Sequence, residues 1–406
     1  MRLLVVTQYF WPEVFRINDM VAELTARGHQ VTVLTGKPNY PDGEIFPEFH
    51  RNPKAFSHHA GVDVVRLPML PRGTGSARLA LNYLSFAVSG MILAPFKLAH
   101  RRFDAIFVYL PSPVTAALPA VVLRWLRGVP SILWVLDLWP DSLRAVGAVK
   151  SERVLAIVGR LVRTIYRHSD MVLGQSRSFV HQIGRYQPDP ARVGYFPGWA
   201  EPQLGMEIAE PAPEVPPRPG YFTIMFAGNI GEAQDFPAVL AAADRLRERP
   251  VRWVIVGDGR KAEWVRAEIA RLGLEDRVVL PGRFPLERMG SFYHCADALL
   301  VSLGADPTFS MTIPAKVQTY LMAGRPILAM LDGEGAAVVR DAAAGYAVAA
   351  GDAAGLADAV RQMMSASPAE RQAMAERGKA YAAREFDRAG LITRLEEVIA
   401  DLVRQR

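Results

Sequence analysis

The chain alternates short apolar runs with longer amphipathic segments. In the first half, apolar runs of strand length lie at residues 3–7, 31–35, 105–109, 131–136 and 171–174, and a helical period covers 14–27. Strands that alternate with helices build parallel sheets covered by helices on both faces. The first half therefore predicts an α/β domain with a doubly wound sheet.

The second half restarts the same rhythm after a break in composition. Residues 201–219 contain six prolines and no apolar period, which is typical of a linker. Apolar runs then follow at 222–226, 253–256, 278–280, 298–302 and 327–330, and helical spacing marks the last twenty residues. The sequence predicts domains at 1–200 and 221–385, a linker at 201–220 and a C-terminal helix at 386–406.

An uncharged segment at residues 79–96 leaves three alternatives open. Arginines and lysines flank it, and its length is borderline for a membrane span, which needs roughly 20 apolar residues. Asn82, Ser85, Ser89, Gly90 and Pro95 interrupt its apolar character. It is a helix packed in the first domain, a helix in the membrane interface, or a spanning helix.

The excess of basic residues indicates anionic binding partners. The net charge is +6, and residues 97–192 hold 14 Lys/Arg against 6 Asp/Glu. Such a basic region fits an anionic membrane surface or phosphate ligands, and no nucleic-acid motif accompanies it. Cys295 is the only cysteine, which excludes an internal disulfide. With a first strand directly at the N-terminus, we expect a cytoplasmic protein at the inner face of the cell membrane.

The segment 312–329 carries the clearest chemical signal. A polar loop ends there, Pro314 opens a helix-forming run, and Gly324 closes it before an apolar strand. Free amide groups and the helix dipole favour an anion at such a helix start, and Lys316 adds a full positive charge. Arg283, after an earlier strand, is a second candidate for the same anion, or the partner in a plain salt bridge.

Glycine turns follow two strands of the second half. Gly228-Asn229-Ile230-Gly231 and Gly257-Asp258-Gly259 place flexible backbone at strand ends, where open parallel sheets bind ligands. Ordinary turns explain the same glycines. The sequence lacks a Walker phosphate loop, a Gly-x-Ser-x-Gly motif and histidine pairs at metal spacing.

Polar residues also follow strands of the first half. Asp137 comes after the run at 131–136, where a carboxylate serves as a base or orients a substrate. Asp141 fits the same site or a helix cap. The loops at 9–19 and 37–43 lack a dinucleotide fingerprint, and they either shape an acceptor pocket or pack as loops.

Six segments together identify a family. They are QYFWPEVFRINDM (8–20), RGHQVTVLTGKPNYPDG (27–43), LDLWPDS (136–142), FAGNIGEAQDF (226–236), VGDG (256–259) and IPAKVQTYLMAGRPIL (313–328). Over its whole length the chain resembles the retaining glycosyltransferases of family 4. It is most similar to bacterial members that build O-antigen, capsule or colanic acid.

The resemblance implies a GT-B fold, with two facing Rossmann-like domains and a last helix that returns to the first. It implies a metal-independent, cofactor-free hexosyl or N-acetylhexosaminyl transfer from a nucleotide-diphosphate sugar, most often UDP-linked, to a saccharide on undecaprenyl diphosphate. Domain closure brings the acceptor hydroxyl to the anomeric carbon. Asp137 and Lys316 are then the catalytic candidates, with Asp137 orienting the acceptor and Lys316 stabilising the departing diphosphate.

The resemblance also assigns binding residues. The donor candidates are Gly228, Asn229, Gln234, Gly257, Asp258, Arg283, Lys316, Gln318 and Thr319. The acceptor candidates are Arg16, Asn18, Asn39, Tyr40 and Asp141.

Several family positions differ in this chain. Met311 and Thr319 stand where the family has two glutamates, and Leu136 replaces a donor-contacting histidine. Phe15-Arg16 replaces the usual glycine pair of the first domain. Two alternatives therefore stay open beside the transferase: a UDP-sugar epimerase of the same fold, and a non-catalytic scaffold in a polysaccharide assembly complex.

Overall fold

The computed structural model describes residues 1–145, 147, 149–199 and 210–406. The chain forms two compact units. Unit 1 comprises Met1–Phe196 and Leu391–Arg406, and unit 2 comprises Pro197–Gly390. The sequence predicted that the first domain ends at residue 200 and the second at residue 385, whereas these stretches of the two units end at residues 196 and 390.

Unit 1 is built on a mainly parallel sheet of eight described strands. They are β1 (Arg2–Val6), β2 (Gln30–Thr35), β3 (His58–His59), β4 (Val62–Arg66), β5 (Ala105–Leu110), β6 (Ser131–Val135), β7 (Met171–Gly174) and β8 (Val193–Tyr195). Their order is β3-β4-β2-β1-β5-β6-β7-β8, with β3 antiparallel to β4. Every residue of β5 and β6 is buried, because helices cover both faces of the sheet.

The helices of this unit connect successive strands. They are α1 (Arg16–Ala26), α2 (Pro47–Arg51), α3 (Ser76–Lys97), α4 (Leu118–Arg127), α5 (Asp141–Ala145), α6 (Glu152–Arg167) and α7 (Arg177–Gly184). Short 3₁₀ helices occupy Pro53–Phe56, Val114–Ala117 and Pro190–Arg192.

Unit 2 has a parallel sheet of six described strands. They are β9 (Phe222–Ala227), β10 (Val251–Val256), β11 (Val278–Gly282), β12 (Ala298–Ser302), β13 (Ile327–Met330) and β14 (Gly345–Val348). Their order is β11-β10-β9-β12-β13-β14. The order reverses between β9 and β12, and such a switch point leaves a crevice beyond the carboxyl ends of the strands.

The helices of unit 2 are again mostly crossover connections. They are α8 (Phe236–Arg245), α9 (Ala262–Leu272), α10 (Met289–His294), α11 (Pro307–Ser310), α12 (Ala315–Met322), α13 (Gly333–Asp341), α14 (Ala353–Ser365) and α15 (Pro368–Glu385). Glu232–Gln234 and Leu286–Arg288 are 3₁₀ helices. The predicted fold class of two α/β units, each built on a mainly parallel sheet, is confirmed.

The last helix, α16 (Arg388–Arg404), supplies the C-terminal part of unit 1. Glu396 accepts hydrogen bonds from Arg27 at 2.8 Å and pairs with the His29 ring at 2.6 Å. The terminal Arg406 reaches Asp170 at 3.0 Å. The chain therefore ends on the unit in which it began.

Two local expectations need correction. The helix expected at 14–27 begins only at Arg16, because the Asn18 side chain bonds Trp11 N–H and the Glu13 carbonyl and holds the preceding residues as a loop. The expected strands also omitted β3, β4, β8 and β14, which are short or only half-buried and show weak apolar patterns.

The second half of the predicted linker is part of unit 2, and residues 200–209 lie outside the described residues. Ala212 and Val215 are buried in an apolar cluster of unit 2. Glu214 forms a salt bridge with Arg288 at 2.7 Å. The prolines of this stretch therefore shape a segment that packs against the unit.

The uncharged segment forms the interior of α3, which is long and apolar enough to cross a membrane. Only 28% of its most apolar 18-residue window is buried within the protein. Its inner face packs closely on the start of α4, since a Cβ on Gly90 would lie 2.3 Å from Pro119 Cγ. α3 is thus a packed helix whose outer face is uncovered.

Candidate functional site

A cavity of about 860 Å³ opens at the carboxyl edge of the unit 2 sheet. The loops that follow β9, β10 and β11 form its walls. It is lined by Gly228, Asn229, Val256, Gly257, Asp258, Gly259, Arg283, Phe284, Pro285, Leu286 and Met289. Five of the donor candidates therefore meet around one cavity.

Glycines allow the first two loops to lie backbone against backbone. Gly257 has φ of 142°, and a Cβ there would lie 1.9 Å from the Gly228 carbonyl oxygen. Hydrogen bonds join the loops, including Ile230 N–H to the Asp258 carbonyl at 2.8 Å. The plain-turn alternative is thus incomplete, because the two turns are packed together at the cavity wall.

Lys316 lies directly beneath this wall. It is the second residue of α12, and its Nζ lies 3.6 Å above the centre of the Phe226 ring. A Cβ on Gly228 would approach Lys316 Nζ to 2.8 Å. The amine therefore sits against the loop that lines the cavity.

The Lys316 amine has no counter-ion in the described part of the chain. Burial lowers its pKa to about 7 because the charged form is poorly solvated there. Within the described ranges, no Asp or Glu carboxylate lies within 4.0 Å of its Nζ. An anion entering the cavity beside Gly228 would supply the missing charge and raise that pKa again.

The other donor candidates differ in position. Gln234 Oε1 accepts from Gly231 N–H at 3.0 Å and from Asn229 Nδ2 at 3.3 Å, so it braces the first loop. Asp258 accepts from Gly259 N–H, and Arg283 is exposed at the cavity rim.

Gln318 and Thr319 lie on α12 outside the cavity lining. Gln318 is buried, and its Nε2 donates to the Gly198 carbonyl at 2.8 Å. This places Gln318 as a support of the helix. Met311, at the other family glutamate position, follows α11 as its C-terminal cap residue.

The apolar wall at 284–289 was not predicted as part of the site. Phe284 packs on Phe292 with ring centres 4.6 Å apart, and the Arg288 guanidinium lies 5.2 Å from the Phe284 ring. The only sequence signal was an apolar residue directly after Arg283, which looks the same as ordinary core packing.

The carboxyl edge of the unit 1 sheet holds a buried acid, Glu13, that no sequence pattern singled out. Glu13 accepts from Asn39 N–H and Tyr40 N–H at 2.8 Å each and from Phe10 N–H at 3.2 Å. Burial raises the pKa of Glu13 to about 7, although the three amide donors and Arg66 favour the ionised form. Glu13 therefore ties the loops after β1 and β2 together.

The acceptor candidates of these loops have mainly structural contacts. Asn39 is fully buried, donates to the Lys37 carbonyl and accepts from Arg72 N–H at 3.0 Å. Asn18 is bonded within its own loop, as described above. Tyr40 lies at the surface with its ring 5.6 Å from Tyr9, and Arg16 begins α1 half-buried.

Asp137 and Asp141 follow β6 on the same edge. Asp137 Oδ2 accepts from Trp139 Nε1 at 3.0 Å, and the Trp139 ring lies 6.2 Å from Tyr83 of α3. Asp141 is the first residue of α5, where the helix dipole stabilises a carboxylate. Asp137 thus lies near Tyr83 of α3, whereas Asp141 lines a cavity with Leu155 of α6 and Tyr186.

Two further polar residues at this edge were missed. Gln8, the second residue after β1, donates to Asn82 Oδ1 of α3 at 2.7 Å, and Asn82 donates to the Leu70 carbonyl at 2.6 Å. Among the residues that the structure describes, Gln8 Oε1 is buried without a hydrogen-bond partner. A polar residue inside an apolar helix was the available signal for Asn82.

In the described part of the chain, no group of three His, Cys, Asp or Glu side chains is placed to hold a metal ion.

Two protein-family models match the chain. Residues 14–199 match "Glycosyl transferase 4-like domain", and residues 221–366 match "Glycosyl transferases group 1". The first match falls within unit 1 except for its last residues, and the second lies within unit 2.

Curated relatives are similar over part of their length. A putative colanic acid biosynthesis glycosyl transferase, WcaI of Escherichia coli K12, is 27% identical over 64% of this chain and 66% of its own. The probable glycosyltransferase WbjE of Pseudomonas aeruginosa is 26% identical over 56% of this chain and 58% of its own. The chain thus aligns with less than two thirds of either relative.

Solved structures share the fold. HepE from Anabaena, crystallised in complex with UDP, has a TM-score of 0.67 at 15% identity, with 99% of this chain and 100% of that chain covered.

Proposed function

Because the chain belongs to the family 4 glycosyltransferases of the GT-B fold, we propose that it transfers a sugar, with retention and without a metal, in surface polysaccharide biosynthesis. The donor is a nucleotide-diphosphate sugar, with UDP as the first choice. The acceptor is a saccharide on a polyisoprenyl diphosphate such as undecaprenyl diphosphate.

The position of Lys316 carries the donor proposal. The half-buried Lys316, whose amine has no carboxylate partner among the described residues, lies against a glycine loop at the switch point of the unit 2 sheet. A diphosphate at that loop would meet the positive charge of Lys316 at the start of α12, where the helix dipole also favours an anion. The complex of HepE with UDP, a protein of the same fold, supports a uridine nucleotide as the first ligand to test.

The proposed reaction exchanges one bond at the anomeric carbon for another. The bond between the anomeric carbon and the diphosphate oxygen breaks, and a bond to an acceptor hydroxyl oxygen forms on the same face. The hydroxyl proton passes to the departing diphosphate. Lys316, at the start of α12 beside Gly228, stabilises the negative charge that develops on that leaving group, and Asp137 orients the acceptor.

Nucleotide binding tests the donor half of this proposal. UDP, GDP, ADP and TDP are titrated into the full chain and followed by thermal shift and calorimetry, with Lys316→Met as the matched variant. We expect one nucleotide to stabilise the wild type and to lose at least about tenfold in affinity in the variant. A chain that binds none of them is a scaffold, and the transferase proposal fails.

A second assay separates the transferase from the epimerase. The sugar nucleotide that binds is incubated without acceptor, and the sugar is analysed for a change in configuration. A new epimer without an acceptor overturns the transferase, whereas transfer to a lipid extract of the producing bacterium supports it.

We further propose that α3 rests on a membrane. Leu81, Leu84, Val88, Ile92 and Phe96 recur at helical spacing and are all exposed, with Phe96 76% accessible. Trp125 on the adjoining α4 is 80% exposed. An outer stripe of this kind suits the apolar boundary of a bilayer, while the inner face of α3 stays packed on the unit.

The basic residues around the stripe favour binding to an anionic membrane. α3 and α4 contain no Asp or Glu, and Arg78, Lys97 and Arg102 lie at or beyond the ends of α3. Basic residues beside an apolar face attract the anionic cytoplasmic leaflet. This surface would hold the enzyme at the inner face of the cell membrane, where a lipid-linked acceptor is found.

A further inference from the structure

Arg72 of unit 1 forms no ion pair within the described residues. It lies in the loop between β4 and α3, with its guanidinium carbon 5.3 Å from the centre of the Tyr40 ring. In the part of the chain that the structure describes, no carboxylate lies within 4.0 Å of that guanidinium. The half-buried position makes an unpaired charge costly.

Arg66, six residues earlier, shows what a structural arginine looks like in the same region. Its guanidinium donates to the carbonyls of Phe56, Gly36 and Trp11, and Glu13 adds a favourable charge. Arg72 has no such set of carbonyl acceptors among the described contacts: its backbone N–H donates to Asn39 Oδ1, and its guanidinium interacts with the Tyr9 hydroxyl. A guanidinium has five N–H donors, so most of those on Arg72 are available to a ligand.

Two tyrosine hydroxyls accompany the Arg72 guanidinium. Arg72 interacts with the hydroxyl of buried Tyr9, and its charge also acts on Tyr83 of α3. Arg78 adds a second cation, because its side chain passes over Gly73, where a Cβ would lie 2.5 Å from Arg78 Cδ. Guanidinium and hydroxyl donors are the groups that commonly bind a phosphate, and this part of unit 1 holds both.

The position along α3 links this cluster to the apolar stripe. Arg78 and Leu81 are three residues apart on one helix and so share a face, and the exposed stripe continues from Leu81 to Phe96. Arg72 and Arg78 therefore lie near the N-terminal end of the exposed α3 stripe that we assign to the membrane. Asp137 lies close enough to act electrostatically on Tyr83, so the proposed acceptor-orienting carboxylate is nearby.

We propose that Arg72, assisted by Arg78, binds the phosphate of the membrane-anchored acceptor at the head of the α3 stripe. This inference rests on the proposed function, since it assigns residues to the phosphate of the lipid-linked acceptor proposed there. The diphosphate of the donor belongs to a different site, beside Lys316 in unit 2.

Binding of farnesyl diphosphate to the full chain tests this assignment. Saturating UDP occupies the unit 2 site, and binding is measured by tryptophan fluorescence below the micelle concentration, with farnesol as the phosphate-free probe. We expect farnesyl diphosphate to bind at least about tenfold more tightly than farnesol. Arg72→Gln should remove most of that difference and Arg78→Gln part of it, whereas Arg185→Gln, an exposed arginine of unit 1, should leave it unchanged.

Each contrary result has a separate meaning. Equal binding of farnesol and farnesyl diphosphate by the wild type overturns the phosphate site without any variant, even if Arg72→Gln fails to fold. Farnesyl diphosphate binding that disappears when UDP is added also overturns it, because the diphosphate was then in unit 2. Failure of UDP itself to bind counts against the donor proposal and leaves the farnesyl comparison readable.

Discussion

Lys316 Nζ lies 3.6 Å above the ring of Phe226, on the side of the strand end where Gly228 opens the unit 2 cavity. The ring face provides a weak cation–π attraction, but the amine has no buried anion beside it in the described structure. Phe226 belongs to β9 and Lys316 to α12, so the pair joins the strand and the helix that border the proposed diphosphate site.

Replacing Lys316 by methionine should separate stability from binding. The thioether fills the same space over Phe226 without a charge to desolvate, so we expect the melting temperature to stay level or rise. UDP affinity should fall by about 10-fold or more, since a charge-assisted contact to phosphate is lost. Differential scanning fluorimetry and calorimetry measure the two effects. A variant that melts earlier but binds UDP normally would show Lys316 to be a packing residue.

UDP affinity should fall as pH rises above 7. The protonated amine binds the anion, burial lowers the pKa of free Lys316 to about 7, and a bound diphosphate raises that pKa. Binding between these two pKa values therefore takes up a proton, and the association constant drops by up to about tenfold per pH unit. Calorimetry at pH 8 in buffers of different ionisation enthalpy measures the uptake. Lys316→Met should show neither effect, and a pH-independent wild type contradicts the assignment.

Gly257→Ala should disrupt the paired loops. The added Cβ meets the Gly228 carbonyl, and φ of 142° disfavours any side chain. We expect a loss of about 2–4 kcal/mol in the free energy of unfolding together with loss of UDP binding. Gly273→Ala is the matched control, because its φ is also positive but open space surrounds it, and about 1 kcal/mol is expected there. Similar losses in both variants would mean that backbone strain alone matters.

Glu13→Ala should destabilise unit 1 by about 3 kcal/mol or more, because it leaves three buried N–H groups without an acceptor. Glu13→Gln keeps part of the acceptor set and should cost less. The pKa of Glu13 is raised to about 7 in the folded state, so its contribution is full below the ordinary carboxyl pKa and is lost as pH rises through 7. Urea unfolding at pH 5.5 and 8 should show the wild type losing stability relative to Glu13→Gln. A constant difference refutes the titration.

Acidic residues on the α3 stripe should detach the protein from membranes. Ile92→Glu with Phe96→Glu removes two exposed apolar side chains and places charge at the lipid boundary. We expect at least about a tenfold fall in binding to vesicles that contain 30% phosphatidylglycerol. Val14→Glu alters an apolar side chain of unit 1 that is 92% exposed outside the stripe, and should bind as the wild type does. Co-sedimentation with the vesicles measures the bound fraction. An equal loss of binding in the double variant and in Val14→Glu would contradict membrane contact through the stripe.

Much of this protein was determined by local sequence. The alternation of apolar runs with amphipathic segments predicted two α/β units, because buried parallel strands require nearly continuous apolar residues whatever their neighbours are. The glycine turns after β9 and β10 and the helix start at Lys316 were recognisable for a similar reason: their chemistry depends on residues adjacent in the chain.

Only the tertiary structure decided which charges have partners. Glu13 is satisfied by amides of residues 39 and 40, and Arg66 by carbonyls from three loops, whereas Arg72 and Lys316 lack any carboxylate among the described residues. It also placed Ala212 and Val215 of the expected linker in a core. These outcomes depend on how strand order brings distant loops to one sheet edge, and the pairing of a charge is a property of that approach, which no local pattern encodes.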